Sequence, residues 1–221
     1  MEKKDEKVPK GTFEPPSKKQ PRKNQFTNPA KAKNKLKMNQ KNYNGTILAL
    51  DVASKKTGYA IYEEGEIFKH GTWKLSKDEY CGSLASNVEK FIKEYGITLI
   101  VVEDIFRDKD VRKDKSFQIL SECRGAVQAI ADWHNIPVTA IEPVRVKRKI
   151  WGYNPSREYY RNLTRPEHKQ RMILAVQILG YGLENDRADD EADAIGLMIT
   201  YLDIYRYLIT HPKYKLSKQT T

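Results

Sequence analysis

The 221 residues suffice for one sizeable core and barely for two. Apolar residues make up 39% and charged residues 31%, with a formal net charge of +11; that balance favours an anionic partner, nucleic acid or an anionic membrane surface, and disfavours a basic one. No apolar run approaches the ~20 residues that span a bilayer, and the opening MEKKDEKVPK has neither the apolar stretch of a secretory signal nor the acid-free character of a mitochondrial presequence.

In chain order, residues 1–43 hold 13 Lys/Arg against 4 Asp/Glu, a net of +9, with Pro9, Pro15, Pro16, Pro21 and Pro29 among few bulky apolar groups. Such a segment cannot bury enough surface to offset its ordering entropy, so it is expected to be a disordered basic arm. It serves either as a solubilising or targeting tail or as a phosphate-binding arm. Residues 46–52, TILALDV, predict a strand ending near Asp51. After a polar turn, 57–62 and then, beyond Glu64-Gly65, 66–74 predict two more strands in an antiparallel meander. Leu84, Val88, Phe91, Ile92 and Tyr95 stand at helical spacing over 78–95, closed by Gly96. TLIVVE, 98–103, has the apolar continuity of a buried central strand. A helix over 115–134, a strand over 137–143, and helices over 167–180 and 188–209 follow. The sum is one α/β domain over 44–210, a mixed five-stranded sheet flanked by helices, with a flexible tail over 211–221. Cys81 and Cys123 have no metal-like spacing and read as reduced packing thiols of an intracellular protein.

Acids end the two most apolar runs, Asp51 and Glu103, and a third group opens the last apolar helix, Asp190 and Asp193. Three residues is about one helical turn, so the latter two share a face. Asp189 competes with Asp190, being four residues from Asp193. Singly, each acid reads more naturally as a turn residue or a helix N-terminal charge; together they form a set of oxygen donors suited to Mg²⁺ or Mn²⁺. Two such ions about 4 Å apart can activate water and stabilise a leaving phosphodiester oxygen.

The segments LALDVASKKTGYAIY, VVEDIF and DEADAIGL, in this order and with SFQILSECRGAVQAIADWHNIPV between the last two, resemble the motifs of RuvC-type Holliday junction resolvases over about residues 45–205. The resemblance implies a ribonuclease H-like fold and a homodimeric endonuclease that cuts four-way junctions symmetrically in recombination and repair. It implies Mg²⁺ or Mn²⁺, two ions per site, held by Asp51, Glu103, Asp190 and Asp193, and a cytoplasmic location in a bacterial or phage-infected cell. Lys147 and Lys169 match family lysines beside the scissile phosphate, where a cation stabilises transition-state charge. Phe106 matches an aromatic that wedges against junction bases. This chain departs from the family in Val52-Ala53-Ser54, where Pro-Gly is usual. It departs again in the longer basic and aromatic segment 151–166, WGYNPSREYYRNLTRP.

Arg145, Arg148, Lys149, Arg157 and Arg161 are candidates for tracking phosphates, with Tyr159 and Tyr160 stacking on unpaired bases. His168, beside Lys169, is a candidate for proton transfer. The DEAD string at 190–193 is no helicase box, since no G-x-x-x-x-G-K-[ST] loop accompanies it. A sugar-kinase-like ATPase needs two copies of the fold, for which the length is too small. A non-catalytic nucleic-acid module has no need of four acids. A nuclease of the same fold acting on forks, flaps or RNA–DNA hybrids remains the serious alternative.

Overall fold

The computed structural model describes residues 45–53, 55–105, 114–183 and 188–210. The arm expected over 1–43, the tail over 211–221 and Phe106 lie outside the described residues.

The meander forms as the residue pattern predicts: β1 (Thr46–Asp51), β2 (Lys56–Glu63) and β3 (Glu66–Lys74) pair antiparallel. Glu64 and Gly65 between β2 and β3 both have positive φ, as a tight hairpin following the strand twist requires. Helix α1 (Tyr80–Tyr95) ends at Gly96, whose left-handed backbone lets its N–H donate to the Ile92 carbonyl. Strand β4 (Ile97–Glu103) returns parallel to β1. Helix α2 (Asp114–Trp133) leads to β5 (Val138–Ile141), parallel to β4. Then come α3 (Pro143–Trp151), α4 (Glu158–Arg161), α5 (Arg165–Ile178) and α6 (Asp189–Thr210). The sheet order is β3-β2-β1-β4-β5.

Two helices differ from the sequence reading. The last strand stops at Ile141, and Pro143 opens α3, where its missing N–H costs nothing and its fixed φ suits a first turn. Its only fully buried residue is Val146, so the apolar spacing that marks a helix is faint. Helix α4 is a single turn with no buried residue.

Strand alternation sorts the core into two layers. Leu48, Leu50, Ile61, Ile100 and Val102 face α1 and α2, meeting Leu84, Val88, Phe91, Cys123 and Val127. Ile47, Ala49, Ala60, Tyr62, Leu99 and Val101 face the other way, onto α3, α5 and α6, meeting Val146, Met172, Val176, Ile195 and Met198. Burying Ile47, Leu48 or Leu50 contributes roughly 1.5–3 kcal/mol each, so β1 anchors both layers. Tight packing extends to the helices: a Cβ on Gly196 of α6 would stand 3.1 Å from the Met172 sulfur of α5 and 3.2 Å from Ile150 of α3.

Candidate active site

The same alternation aims the strand-end acids. Asp51 follows Ile47 and Ala49 in phase, and Glu103 follows Leu99 and Val101, so both belong to the face covered by α6. They end neighbouring parallel strands, one residue past the Leu50–Val102 pair. Beyond Asp51 the chain turns through Val52 and Ala53, and the Thr57 hydroxyl donates to the Ala53 carbonyl at 3.4 Å. The departure from Pro-Gly thus has a local tie of its own.

The N-terminus of α6 docks above these strand ends. Gly58, paired with Asp51 across β1 and β2, lies so near α6 that an added Cβ would sit 1.8 Å from the Asp190 carbonyl oxygen. Asp51, Glu103, Asp190 and Asp193 are thereby drawn into one electrostatic neighbourhood. Burial first, then the charges of Asp193, Glu103, Asp190 and Asp189, hold the Asp51 carboxyl well above the ordinary carboxylate range. Burial pushes Glu103 up to about 7, against the pull of Lys147. Burial and the Glu103 charge push Asp193 up to about 7, again opposed by Lys147. Asp190 is raised by burial and by Asp189, and restrained by Lys169, Lys56 and Arg165. Among the described residues no three His, Cys, Asp or Glu side chains stand at ion-ligating spacing. The donor chemistry nevertheless fits a divalent cation: crowded, desolvated carboxylate oxygens with a deficit of positive charge.

The neighbouring acids have partners. Asp104 accepts from Arg124 at 2.8 Å and from the Ile105 N–H, turned toward α2. Asp189 is ion-paired with Lys169. That contact bears on the competition between Asp189 and Asp190, because it occupies Asp189 and brings a cation to the site's edge. Lys147 reaches the site from α3 through the charges of Glu103 and Asp193. Lys56 and Arg165, whose neighbours give no local motif, were not among the sequence candidates.

The other candidates scatter more widely. Arg145, Arg148, Arg157 and Arg161 are exposed. Lys149 instead pairs with Asp203 of α6 at 2.7 Å. Tyr160 packs against Trp151, Tyr153 and Tyr159, while Tyr159 is 58% exposed and accepts from Arg171. His168 lies edge-on to Trp151 and Tyr153, its proton affinity lowered by burial and by Lys147.

These shifts have a measurable sign. A carboxyl whose folded pKa is raised binds its proton more tightly folded than unfolded, so it stabilises the fold at acid pH and ceases to as pH rises through about 7. The ion-free protein should therefore lose melting temperature between pH 5.5 and 8 from this cluster. Added Mn²⁺ should restore it at pH 8 and act little at pH 5.5. Calorimetric melting at both pH values tests this; equal Mn²⁺ stabilisation at the two would contradict it.

Comparison with known proteins agrees with this architecture, although no protein-family model matches the chain. It is 26% identical over 165 residues to the crossover junction endodeoxyribonuclease RuvC of Fusobacterium nucleatum, covering 71% of this chain and 80% of that one. It is 28% identical over 170 residues to that of Rickettsia prowazekii, covering 73% and 99%. Thermus thermophilus RuvC, solved in complex with Holliday junction substrate, superposes with a TM-score of 0.57 at 19% identity, covering 74% of this chain and 96% of that one. Among the described residues no helix is long and apolar enough to cross a membrane. In its sheet and helix order the chain shares the fold of the solved RuvC structure, and along most of the relatives' length its sequence is similar to the RuvC crossover junction endodeoxyribonucleases.

Proposed function

We propose that this chain is a structure-selective endonuclease that resolves Holliday junctions and related branched DNA by metal-dependent phosphodiester hydrolysis. The observation that carries the reading is the gathering of Asp51, Glu103, Asp190 and Asp193 at one end of the sheet, in a chain similar to enzymes of that name. Asp51, Glu103, Asp190 and Asp193 would hold Mg²⁺ or Mn²⁺, two ions per site. When bound, such ions activate water and neutralise charge at the scissile phosphate. Lys147, already within Coulombic reach of Glu103 and Asp193, supplies a fixed cation where negative charge develops. Lys169, held by Asp189, does the same from α5. Exposed Arg145, Arg148, Arg157 and Arg161 contact phosphates, and Phe106 is the proposed wedge at the junction centre. The segment 1–43 adds non-specific phosphate affinity.

The homodimer belongs to the same proposal. From sequence, the helix over 115–134 is the expected dimer contact, offering Phe117, Leu120, Val127 and Ile130 with small Gly125 and Ala126 for close approach, and Ile119, Cys123, Ala126 and Ala129 suggest a second apolar face; of that second set, Cys123 and Ile119 pack into the core instead. In the fold Cys123, Val127 and Ala131 are the buried residues, with Ile119 and Ile130 packed beside them. Gly125, Ala129 and Trp133, four residues apart, form an exposed stripe, with Trp133 81% accessible. Such a stripe suits a second copy, and two-fold symmetry suits paired cuts in a four-way junction. Sedimentation at micromolar concentration should give a dimer; a monomer both free and on junction DNA overturns the paired-cut mechanism.

One observation favours other branched targets. Trp151, Tyr153, Tyr160 and His168 form an aromatic group beside Lys147 and Lys169, with the Arg171 guanidinium 5.8 Å from the Trp151 ring. Cleavage of a four-way junction, a three-way branch, a flap and an RNA–DNA hybrid, side by side in Mg²⁺ and in Mn²⁺, tests both readings. Paired cutting of the four-way junction is expected. A preference for flaps or hybrids moves the function to the second reading, and cutting of none of them overturns both.

A further inference from the structure

We infer that His70 is a positioning residue for the ion-binding turn of α6, acting through Glu191; this rests on the active-site reading above. Glu191 lies between Asp190 and Asp193, yet has no accessible surface. An acid on a helix's first turn gains from the helix dipole while exposed, so that gain does not account for burying this one. A buried carboxylate is costly unless paired. Glu191 is paired: its Oε1 stands 2.5 Å from His70 Nδ1, on the edge strand β3 and 121 positions away in sequence.

Register explains how the two meet. His70 pairs with Ala60 across β2 and β3, and Ala60 belongs to the layer beneath α6. Two residues earlier on β2, Gly58 takes the Asp190 backbone at contact distance. The first turn of α6 is thus held on both sides of the Asp190–Glu191 peptide. The backbone rests on β2 and the Glu191 side chain is tied to β3. These contacts set how far the turn can rotate, and rotation decides whether Asp190 and Asp193 face Asp51 and Glu103. Without His70 the Glu191 side chain loses its tie to β3, and a displaced side chain would turn the helix start with it. Residues that orient ion ligands in this way typically cost 10–100-fold in affinity when removed.

The test uses the full chain without DNA and reads Mn²⁺ affinity by titration calorimetry, with thermal unfolding of the ion-free protein alongside. Glu191→Gln replaces the carboxyl by an amide of the same shape that can still meet His70 Nδ1, so it is the reference state. His70→Ala in that background removes the tether in the absence of the Glu191 carboxyl. The double variant should bind Mn²⁺ about 10-fold or more weakly than E191Q alone. Single His70→Asn, whose amide reaches the Nδ1 position, should recover affinity lost in His70→Ala. A double variant that binds Mn²⁺ as tightly as E191Q overturns the inference, and a lowered melting temperature with unchanged affinity makes the pair merely structural. Asp193→Asn is run beside them. If it binds Mn²⁺ like the unmodified chain, the active-site reading itself fails and this inference falls with it.

Discussion

Asp51→Asn should abolish junction cleavage while making the ion-free protein more heat-stable. Asp51 ends β1 and receives like-charge repulsion from Asp193, Glu103, Asp190 and Asp189 in addition to the cost of its own burial. Those terms penalise the folded state whenever the group is ionised, most of all near pH 8. An amide of the same shape relieves them. At roughly 2–4 °C per kcal/mol for a domain of this size, the melting temperature should rise by a few degrees. The same substitution removes a ligand from a site that is asked for several kcal/mol of transition-state stabilisation, so the rate should fall by ~10³-fold or more. Binding of junction DNA, which depends on the basic residues, should change little. A D51N protein that cuts at the normal rate would falsify the assignment of Asp51. Loss of activity with a lowered melting temperature would point to damage of the fold instead.

Gly58→Ala should disable the enzyme from a position with no chemistry of its own. The new methyl would lie 1.8 Å from the Asp190 carbonyl oxygen, 2.3 Å from its carbon and 3.0 Å from the Glu191 nitrogen. All three are backbone atoms, so no rotamer change relieves the overlap; α6 must lift from β2. Overpacking of this kind costs about 1–3 kcal/mol, and a shift near 1 Å in a catalytic group costs ~10²-fold in rate. Gly82→Ala in α1 is the control. Nothing lies within 4 Å of the added carbon there, and replacing a helical glycine should stabilise by roughly 0.4–1 kcal/mol. If G58A melts and cuts like the unmodified chain, the close approach of β2 and α6 is not what places Asp190.

The candidate carboxylates were legible in the sequence from two local signals, strand-end acids after apolar runs and two acids one turn apart on the last helix. β1 and β4 are unusually apolar runs, and each ends on an acid; that Asp51 and Glu103 share one face follows only from the parallel register of the two strands. Which elements bring these acids together is a tertiary fact, since α6 begins far along the chain from both strand ends. Helix α3 was missed because PVRVKRKIW has more cations than core contacts. Lys149 was named as a phosphate contact because it stands in a basic run; nothing nearby reveals Asp203 as its partner. His70 in EIFKHGTWK reads as one more edge-strand residue, because its partner lies 121 positions away. Gly58 was recognised as part of a motif, but which backbone it accommodates is a tertiary fact.

The distribution of the acids along the chain also bears on synthesis. Asp51 and Glu103 leave the ribosome early, whereas Asp190 and Asp193 arrive on the last helix of the described fold. Until α6 emerges and docks on β2, the nascent protein carries two of the four acids proposed to hold the ions. It is already basic enough to attract nucleic acid, with +9 in its first 43 residues. If the four acids act together as proposed, the order of the elements keeps a growing chain inactive until α6 has docked.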